Sequence, residues 1–359
     1  MKDFQLRNDT KLLFRNNPVK DLKEYVNKKK VLFVYGGGSV KRNGCYNDVK
    51  KAIDESDGKL FELSGASREI TAIEKGIQLV EENKIEMIIG AGGASIMDCA
   101  KLIAFGSYQK DDLWDYIKGR KNPYGLEKLP LILIPKYPSS GSEYGLGAVA
   151  SDKSRQDFGT AYGIAGDVAL LVPKYSLSLD KEMTAYTGLV TFVQLSASTI
   201  GDHNPISYDM GISVIKNVLK ATKSLKENPN DEGARGVILY GASISTSGRL
   251  GLGKEENYAY DIYELEFIPE ILFEATYRKS LTTLFPRFLK VMAKYYFKDI
   301  FGYEEIEIAS KEMIKLFEDL GVDMYFKGQI TRDKIENIDF ETILSIEEVT
   351  SIIEDCLVK

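Results

Sequence analysis

The chain has 359 residues, of which 44% are hydrophobic, and a formal net charge of −6 at pH 7. This length and composition predict two globular domains and exclude a disordered or low-complexity chain. The acidic balance and the absence of an apolar run of about 18–20 residues argue against nucleic acid and membrane as partners. We therefore expect a cytoplasmic protein.

Cysteine and histidine are scarce. Cys45, Cys99 and Cys356 lie far apart in the sequence and form no CxxC pair, so neither a disulfide framework nor a thiolate zinc site is indicated. His203 is the only histidine, which excludes any site with two or more histidine ligands. We expect His203 to form a structural hydrogen bond in the loop before Pro205.

Short apolar segments alternate with helical patterns in the first half of the chain. Strands are predicted at 31–35, 59–63, 85–90 and 130–135, and amphipathic helices at 45–55 and 68–84. Nearly continuous apolar strands that alternate with helices are typical of a parallel sheet covered by helices on both faces. The pattern predicts an α/β domain over residues 1–178.

Long helical periodicities dominate the second half. Helices are predicted at 208–226, 231–248, 258–283, 285–300, 302–320 and 347–357, and strand-like alternation is absent. Residues 179–359 are therefore predicted to form an all-α domain. Because no linker rich in Pro, Gly or Ser separates the halves, we expect them to pack directly and to leave a ligand-binding cleft.

Three loops rich in glycine or serine follow predicted strands. Their sequences are GGGSVKRNG from residue 36, GAGGAS from residue 90 and KYPSSGSE from residue 136. Glycine lets backbone N–H groups approach phosphate oxygens, and a following helix N-terminus adds partial positive charge. Together the loops favour a dinucleotide site, although neither glycine loop is a full GxGxxG and tight turns also use glycine for steric reasons alone.

These segments resemble the iron-dependent alcohol dehydrogenase family, in its butanol-dehydrogenase-like branch. The resemblance rests on NDTKLLF (8–14), YGGGSVKRNGCYNDV (35–49), GAGGASIMDCAK (90–101), DLWDY (112–116) and IPKYPSSGSE (134–143), with a looser continuation over 234–253. It implies a dinucleotide-binding α/β domain followed by a helical domain, and a homodimer. It also implies interconversion of small alcohols and carbonyl compounds with a nicotinamide cofactor.

The resemblance also assigns residues to the cofactor. From the adenosine ribose through the pyrophosphate to the nicotinamide side they are Gly37, Gly38, Ser39, Gly92, Gly93, Ala94, Ser95, Asp98, Ser139, Ser140 and Ser142. An acidic side chain in the first loop would bind the ribose 2′-hydroxyl and repel a 2′-phosphate. Here that loop is neutral, with Lys41 and Arg42 close by, so we predict that NADP(H) is preferred over NAD(H).

The metal ligands of the family are missing. Its aspartate and histidine, four residues apart, would fall within 187–198, where Val190 or Thr191 and Gln194 stand. Its later histidines would fall within 258–280, at positions held by Tyr263, Phe267, Phe273 and Tyr277. We therefore predict no iron or zinc.

Four glutamates, Glu264, Glu266, Glu270 and Glu274, lie in the same segment. The last three are spaced i, i+4, i+8 and share a helix face if Pro269 does not break the helix. We interpret them as a solvated acidic face. An oxygen-only Mg²⁺ or Mn²⁺ site and a substrate-binding role stay open as alternatives.

Without a Lewis acid, another group must stabilise the alkoxide that forms during hydride transfer. Tyr263 and Tyr277 are the candidates, and we expect Arg278 or Lys279 to lower the pKa of one of them. In either case we predict that both tyrosines converge with Phe267 and Phe273 near the former metal position, with Gln194 at the edge of this cluster. The alternative to a catalytic role is that the tyrosines only fill the vacated volume.

The sequence thus predicts a metal-independent alcohol dehydrogenase or aldehyde reductase. The alternatives are a non-catalytic NAD(P)-binding protein and, less favoured, a lyase or synthase that uses the same cofactor cleft.

Overall fold

The computed structural model of the protein describes residues 2–155, 157–201, 204–254, 258–296, 305–338 and 340–358. The chain divides into two compact units. The first unit contains residues 7–178 and 242–247. The second contains residues 2–6, 179–241 and 248–358.

The first unit is built on a six-stranded parallel sheet. Its strands and those of a separate hairpin are β1 (Lys11–Phe14), β2 (Lys30–Tyr35), β3 (Lys59–Ser64), β4 (Met87–Gly92), β5 (Leu131–Pro135), β6 (Gly147–Asp152), β7 (Asp157–Tyr162) and β8 (Val168–Leu171). The sheet has the order β1-β8-β5-β4-β2-β3, and every neighbouring pair is parallel. Strands β6 and β7 form the antiparallel hairpin.

Helices cover both faces of this sheet. They are α1 (Val19–Val26), α2 (Ser39–Arg42), α3 (Cys45–Asp54), α4 (Ile70–Asn83), α5 (Ala94–Gly106) and α6 (Leu113–Ile117). Alternate residues of β2 pack on opposite faces of the sheet. Leu32 and Val34 pack with apolar residues of α4 and α5, whereas Val31 and Phe33 pack with those of α1 and α3. The predicted parallel sheet with helices on both faces is confirmed.

The strand predictions differ from the structure in two respects. Strand β4 begins two residues later than predicted and continues to Gly92, because Ala91 and Gly92 pair with Ile134 and Pro135 of β5. The hairpin and β8 were not anticipated. The hairpin strands GAVASD and DFGTAY consist mainly of small and polar residues, and β8 has only four residues, so none of them gives a clear apolar signal.

The second unit is helical, as predicted. Its helices are α7 (Lys181–Thr199), α8 (Pro205–Glu227), α9 (Glu232–Ser245), α10 (Ile262–Leu265), α11 (Phe267–Phe273), α12 (Tyr277–Tyr296), α13 (Ile306–Asp319), α14 (Arg332–Glu336) and α15 (Ile346–Glu354). The last residues of α9 belong to the first unit. Within the described part of the second unit the only β-type pairing is an isolated bridge between Phe326 and Leu357. Among the described helices, none is long and apolar enough to cross a membrane.

The predicted helices 258–283 and 285–300 are wrong in their boundaries. The chain turns at Glu274, which ends α11 in a left-handed conformation (φ 52°), and α12 then continues through Pro286. Pro269 is tolerated because it lies in the first turn of α11, where a missing N–H costs little. In α12 the guanidinium of Arg287 donates to the Thr283 carbonyl, one turn earlier, at 2.8 Å.

Candidate functional site

The loops after β2, β4 and β5 meet at the carboxyl edge of the sheet. Strands β5, β4 and β2 are adjacent, so these loops are neighbours. The Lys136 ammonium donates to Ser39 Oγ at 2.9 Å, and the Lys136 backbone N–H donates to the Gly92 carbonyl at 3.0 Å. The sequence-predicted cofactor residues of the three loops are therefore gathered at one edge, where ligands bind in open α/β sheets.

The glycines of these loops have different physical roles. A Cβ at Gly92 would lie 2.6 Å from Ile96 Cγ1, and one at Gly93 would lie 2.6 Å from the Tyr137 hydroxyl oxygen. Gly92 is required for packing because Ile96 Cβ would also be only 2.7 Å away, whereas at Gly93 the end of the Tyr137 side chain would have to move. A Cβ at Gly37 would meet nothing within 4 Å, so Gly37 borders open space.

Helix α5 begins directly after the second glycine turn. Its N-cap residue is Gly93, and no side chain caps the first turn. Ala94 is half-buried and Ser95 is exposed. Because the first N–H groups of a helix lack partners within the helix and point along a favourable dipole, this turn suits an anionic group.

Asp98 and Ser142 are hydrogen-bonded to each other. Ser142 Oγ donates to Asp98 Oδ1 at 2.5 Å, and both side chains are buried. Burial raises the pKa of Asp98, against the opposing effects of Lys101 and Ser142. The pair anchors the loop after β5 to α5. The assignment of Asp98 to the ribose of the cofactor stays a prediction.

Ser139 and Ser140 lie on the anchored loop and are half-buried. The oxygen of the Ser140 hydroxyl is shielded from solvent and has no hydrogen-bond partner among the described residues. A buried hydroxyl without a partner is costly, so a polar group of a bound ligand would satisfy it. Together with the uncapped turn of α5, these residues fit a dinucleotide.

Lys101 and Glu143 form a buried network that the sequence reasoning missed. The Lys101 ammonium donates to the carbonyls of Gly145 and Gly147, each at 2.8 Å, and Glu143 accepts from Ser243 Oγ at 2.6 Å. Burial lowers the pKa of Lys101 to about 8 and raises the pKa of Glu143. The available signal was a lysine inside the otherwise apolar run CAKLIAFG of α5.

The first glycine loop has an acidic neighbour that was also missed. Glu62, near the end of β3, accepts hydrogen bonds from the hydroxyls of Tyr35 and Tyr46, and the bond from Tyr35 is the largest cause of its lowered pKa. Lys41 Nζ lies 4.8 Å from the centre of the Tyr46 ring. Arg42 is exposed next to Gly38 and forms no ion pair within the described residues. Of the two predicted cations, Arg42 is thus the one left for a ligand.

The residues at which the resemblance would put the metal ligands are brought together only in part. Gln194 Nε2 donates to Tyr277 Oη at 3.1 Å. Tyr263 lies near enough to Tyr277 for the two phenols to influence each other electrostatically. Phe273 instead stacks on Phe326, with ring centres 5.2 Å apart.

The two phenols stay protonated at neutral pH. Burial raises the pKa of Tyr263 and of Tyr277 well above the ordinary value. The expectation that Arg278 or Lys279 lowers one of these pKa values is wrong. Lys279 pairs with Asp323 at 2.7 Å, and neither cation is among the groups that shift these tyrosines.

The residues at these positions do not fit an iron centre. An amide, two protonated phenols and hydrocarbon rings lack the anionic or imidazole donors that such a centre needs. Within the part of the chain that the structure describes, no three His, Cys, Asp or Glu side chains are grouped to hold a metal ion. His203 lies outside the described residues.

The four glutamates do not share one solvated face. Glu266 is buried, whereas Glu264 and Glu274 are exposed, and Glu274 lies in the turn beyond α11. Because α10 and α11 are separate short helices, the regular spacing in the sequence does not continue along a single helix.

Known proteins resemble this chain over most of its length. The model of the iron-containing alcohol dehydrogenase family matches residues 9–177. NADH-dependent butanol dehydrogenase A of Clostridium acetobutylicum is 28% identical over 308 residues, which cover 81% of this chain and 76% of the relative. NADPH-dependent aldehyde reductase YqhD of Escherichia coli is 26% identical, over 72% of this chain and 68% of the relative. The crystal structure of NADH-dependent butanol dehydrogenase A from Thermotoga maritima superposes with a TM-score of 0.87 at 22% identity, covering 100% of this chain and 99% of the other.

Proposed function

We propose that the chain is a member of the iron-containing alcohol dehydrogenase family and that it interconverts small aldehydes and alcohols with a nicotinamide cofactor and without a metal ion. The observation that carries the metal-independent part is the hydrogen bond from Gln194 Nε2 to Tyr277 Oη at 3.1 Å. This bond connects two positions where the resemblance would put metal ligands, and it involves a phenol that can donate a proton.

Residues of the first unit would hold the cofactor. Gly37, Gly38 and Ser39 would contact the adenosine ribose, the turn from Gly92 to Ser95 the pyrophosphate, and Ser139 and Ser140 the nicotinamide half. When bound, the nicotinamide supplies or accepts the hydride. The hydroxyl of Ser140 would then gain the hydrogen-bond partner that the described residues do not provide.

Tyr277 would replace the metal as the group that stabilises the developing alkoxide. Its oxygen accepts from Gln194, so its own O–H is left to donate to a carbonyl oxygen. The bond from Gln194 also favours the phenolate and works against the effect of burial on the pKa of Tyr277. Tyr263 is the second candidate, because it is the phenol electrostatically coupled to Tyr277.

We further propose that NADP(H) is preferred over NAD(H). Arg42 lies beside Gly38, where a 2′-phosphate would be bound, whereas Glu62 is already bonded by two phenols. One charge-assisted contact would favour NADPH by roughly 1–3 kcal/mol.

Fluorescence titration of both reduced cofactors checks this preference, and Ser39→Asp is expected to reverse it. Equal affinities in the wild type would contradict the assignment.

The activity is tested by mixing the protein with NADPH or NADH and a panel of short aldehydes. Consumption of the reduced cofactor with at least one aldehyde is expected. If the cofactors bind and no aldehyde is reduced, the protein is a cofactor-binding protein without this activity, and the proposal is wrong.

A further inference from the structure

The side chain of Lys136 crosses the end of the central strand of the candidate site. Lys136 follows β5, and its ammonium reaches Ser39 in the loop after β2 at 2.9 Å. Strand β4 lies between β5 and β2 in the sheet. The lysine therefore extends over the turn from Gly92 to Gly93 that connects β4 to α5.

Its surroundings hold the ammonium in this place. The Lys136 backbone is fixed by the hydrogen bond from its N–H to the Gly92 carbonyl. The ammonium lies 4.9 Å from the centre of the neighbouring Tyr137 ring, and the hydroxyl of Tyr137 occupies the space beside Gly93. The cation thus lies beside Tyr137, whose hydroxyl borders Gly93 at the start of α5, and its full charge has the same sign as the partial charge of the uncapped helix N-terminus.

Ser39 is oriented by the same contact. Because its oxygen accepts from Lys136, its own O–H is available to donate to a second acceptor. The lysine and the amides of the α5 turn then offer donors to one small region, next to the serine that is assigned to the adenosine ribose. An anion with several oxygens matches this arrangement better than a neutral group.

We propose that Lys136 binds the pyrophosphate of the dinucleotide, as a cationic clamp across the glycine turn. This inference rests on the proposed cofactor binding and names a residue that the sequence did not single out. The pyrophosphate is favoured over the 2′-phosphate because Lys136 reaches from β5 past the end of β4, whereas Arg42 is the cation beside Gly38.

The clamp acts on a group that NADH and NADPH share. Removing its charge is therefore expected to weaken both cofactors by the same factor, about 10- to 100-fold for one charge-assisted contact. The preference between the two cofactors should not change. Raising the salt concentration should weaken binding to the wild type more than binding to the variant.

Calorimetric titration of NADH, NADPH and ADP into the full-length protein tests the proposal with three variants. Lys136→Gln removes the charge but can still donate to Ser39, Lys136→Met removes both, and Lys136→Arg restores a cation. Equal losses for all three ligands are expected in the first two variants, with substantial recovery in the third. Lys110→Met, at an exposed lysine after α5, is the matched control and should bind like the wild type.

The outcomes separate the two proposals. If the wild type binds neither dinucleotide, the proposed function itself fails, and the clamp with it. If the wild type binds and Lys136→Gln loses affinity only for NADPH, the lysine contacts the 2′-phosphate and the inference is overturned. Unchanged affinities in Lys136→Gln and Lys136→Met, at melting temperatures equal to that of the wild type, would also overturn it.

Discussion

Tyr277 accepts a hydrogen bond from Gln194, and burial raises the pKa of its phenol. The sequence indicated that a tyrosine replaces a histidine ligand, because the family pattern fixed the position. It did not indicate the direction of the pKa shift, because that shift depends on burial rather than on the neighbouring residues Arg278 and Lys279. Side chains that follow one another along a helix point in different directions, so sequence adjacency did not bring either cation to the phenol.

Replacing the phenol tests its role directly. Tyr277→Phe removes the proton donor while keeping the ring, so we expect turnover to fall about 10- to 100-fold with unchanged affinity for NADPH. Steady-state rates and cofactor titrations measure the two effects separately. Tyr240→Phe, at an exposed tyrosine of α9, is the control. If Tyr277→Phe and Tyr263→Phe both turn over like the wild type, the tyrosines only fill space.

The buried lysine of the first unit predicts a dependence of stability on pH. The pKa of Lys101 is about 8 in the folded protein, against an ordinary value of 10.5. Between these values the unfolded chain binds more protons, so the stability of the wild type relative to Lys101→Met rises with pH. Urea unfolding at several values from pH 7.5 to 10 should show a relative gain of about 1–3 kcal/mol. A constant difference would show that Lys101 titrates normally.

At the scale of elements, the loop after β5 depends on a glycine that packing requires. Gly141 has a φ of +70°, and a Cβ there would lie 2.2 Å from the Ala242 carbonyl oxygen. Thr246 Oγ1 also donates to the Gly141 carbonyl at 2.9 Å. The loop that carries Ser139 and Ser140 is therefore held by residues 242–247, which are far away in the sequence and belong to the same unit.

We expect Gly141→Ala to destabilise the protein by about 2–4 kcal/mol, from backbone strain and the clash together. Gly125→Ala is the matched control, because its φ of +78° is similar and its Cβ would meet nothing within 4 Å. That variant should lose only about 1–2 kcal/mol. Thermal or urea unfolding gives both values, and equal losses would mean that the close approach to Ala242 does not matter.

Some elements had clear signals in the sequence and others had none. Strands β2 and β3 were predicted within one residue. Strand β2 is an almost entirely apolar run followed by glycine, and β3 carries Leu60, Phe61 and Leu63 and ends at Ser64. The break at Glu274 gave no signal, since no glycine, asparagine or proline marks the turn. The left-handed backbone conformation of Glu274 is stabilised by the hydrogen bond from the N–H of Ala275 to the Pro269 carbonyl.

At the scale of the whole molecule, the fold and the proposed function of the second unit were inferred from different residues. The fold followed from residues that are present, namely the apolar strands and the glycine loops. The interpretation of the second unit followed from metal ligands that are missing. The sequence shows which ligands are missing but not how the residues at their positions are arranged. Only the structure indicated that Gln194 and Tyr277 are hydrogen-bonded and that Glu266 is buried away from Glu264.

Metal-independent reduction of an aldehyde by this protein is tested most directly by one measurement. The rate of NADPH oxidation with a reactive aldehyde is measured before and after dialysis against a chelator, with the metal content of the same samples determined by mass spectrometry. We predict an unchanged rate and melting temperature, with far less than about one iron or zinc per chain. An activity that disappears on chelation and returns on addition of Fe²⁺ or Zn²⁺, with about one ion bound per chain, would contradict the account.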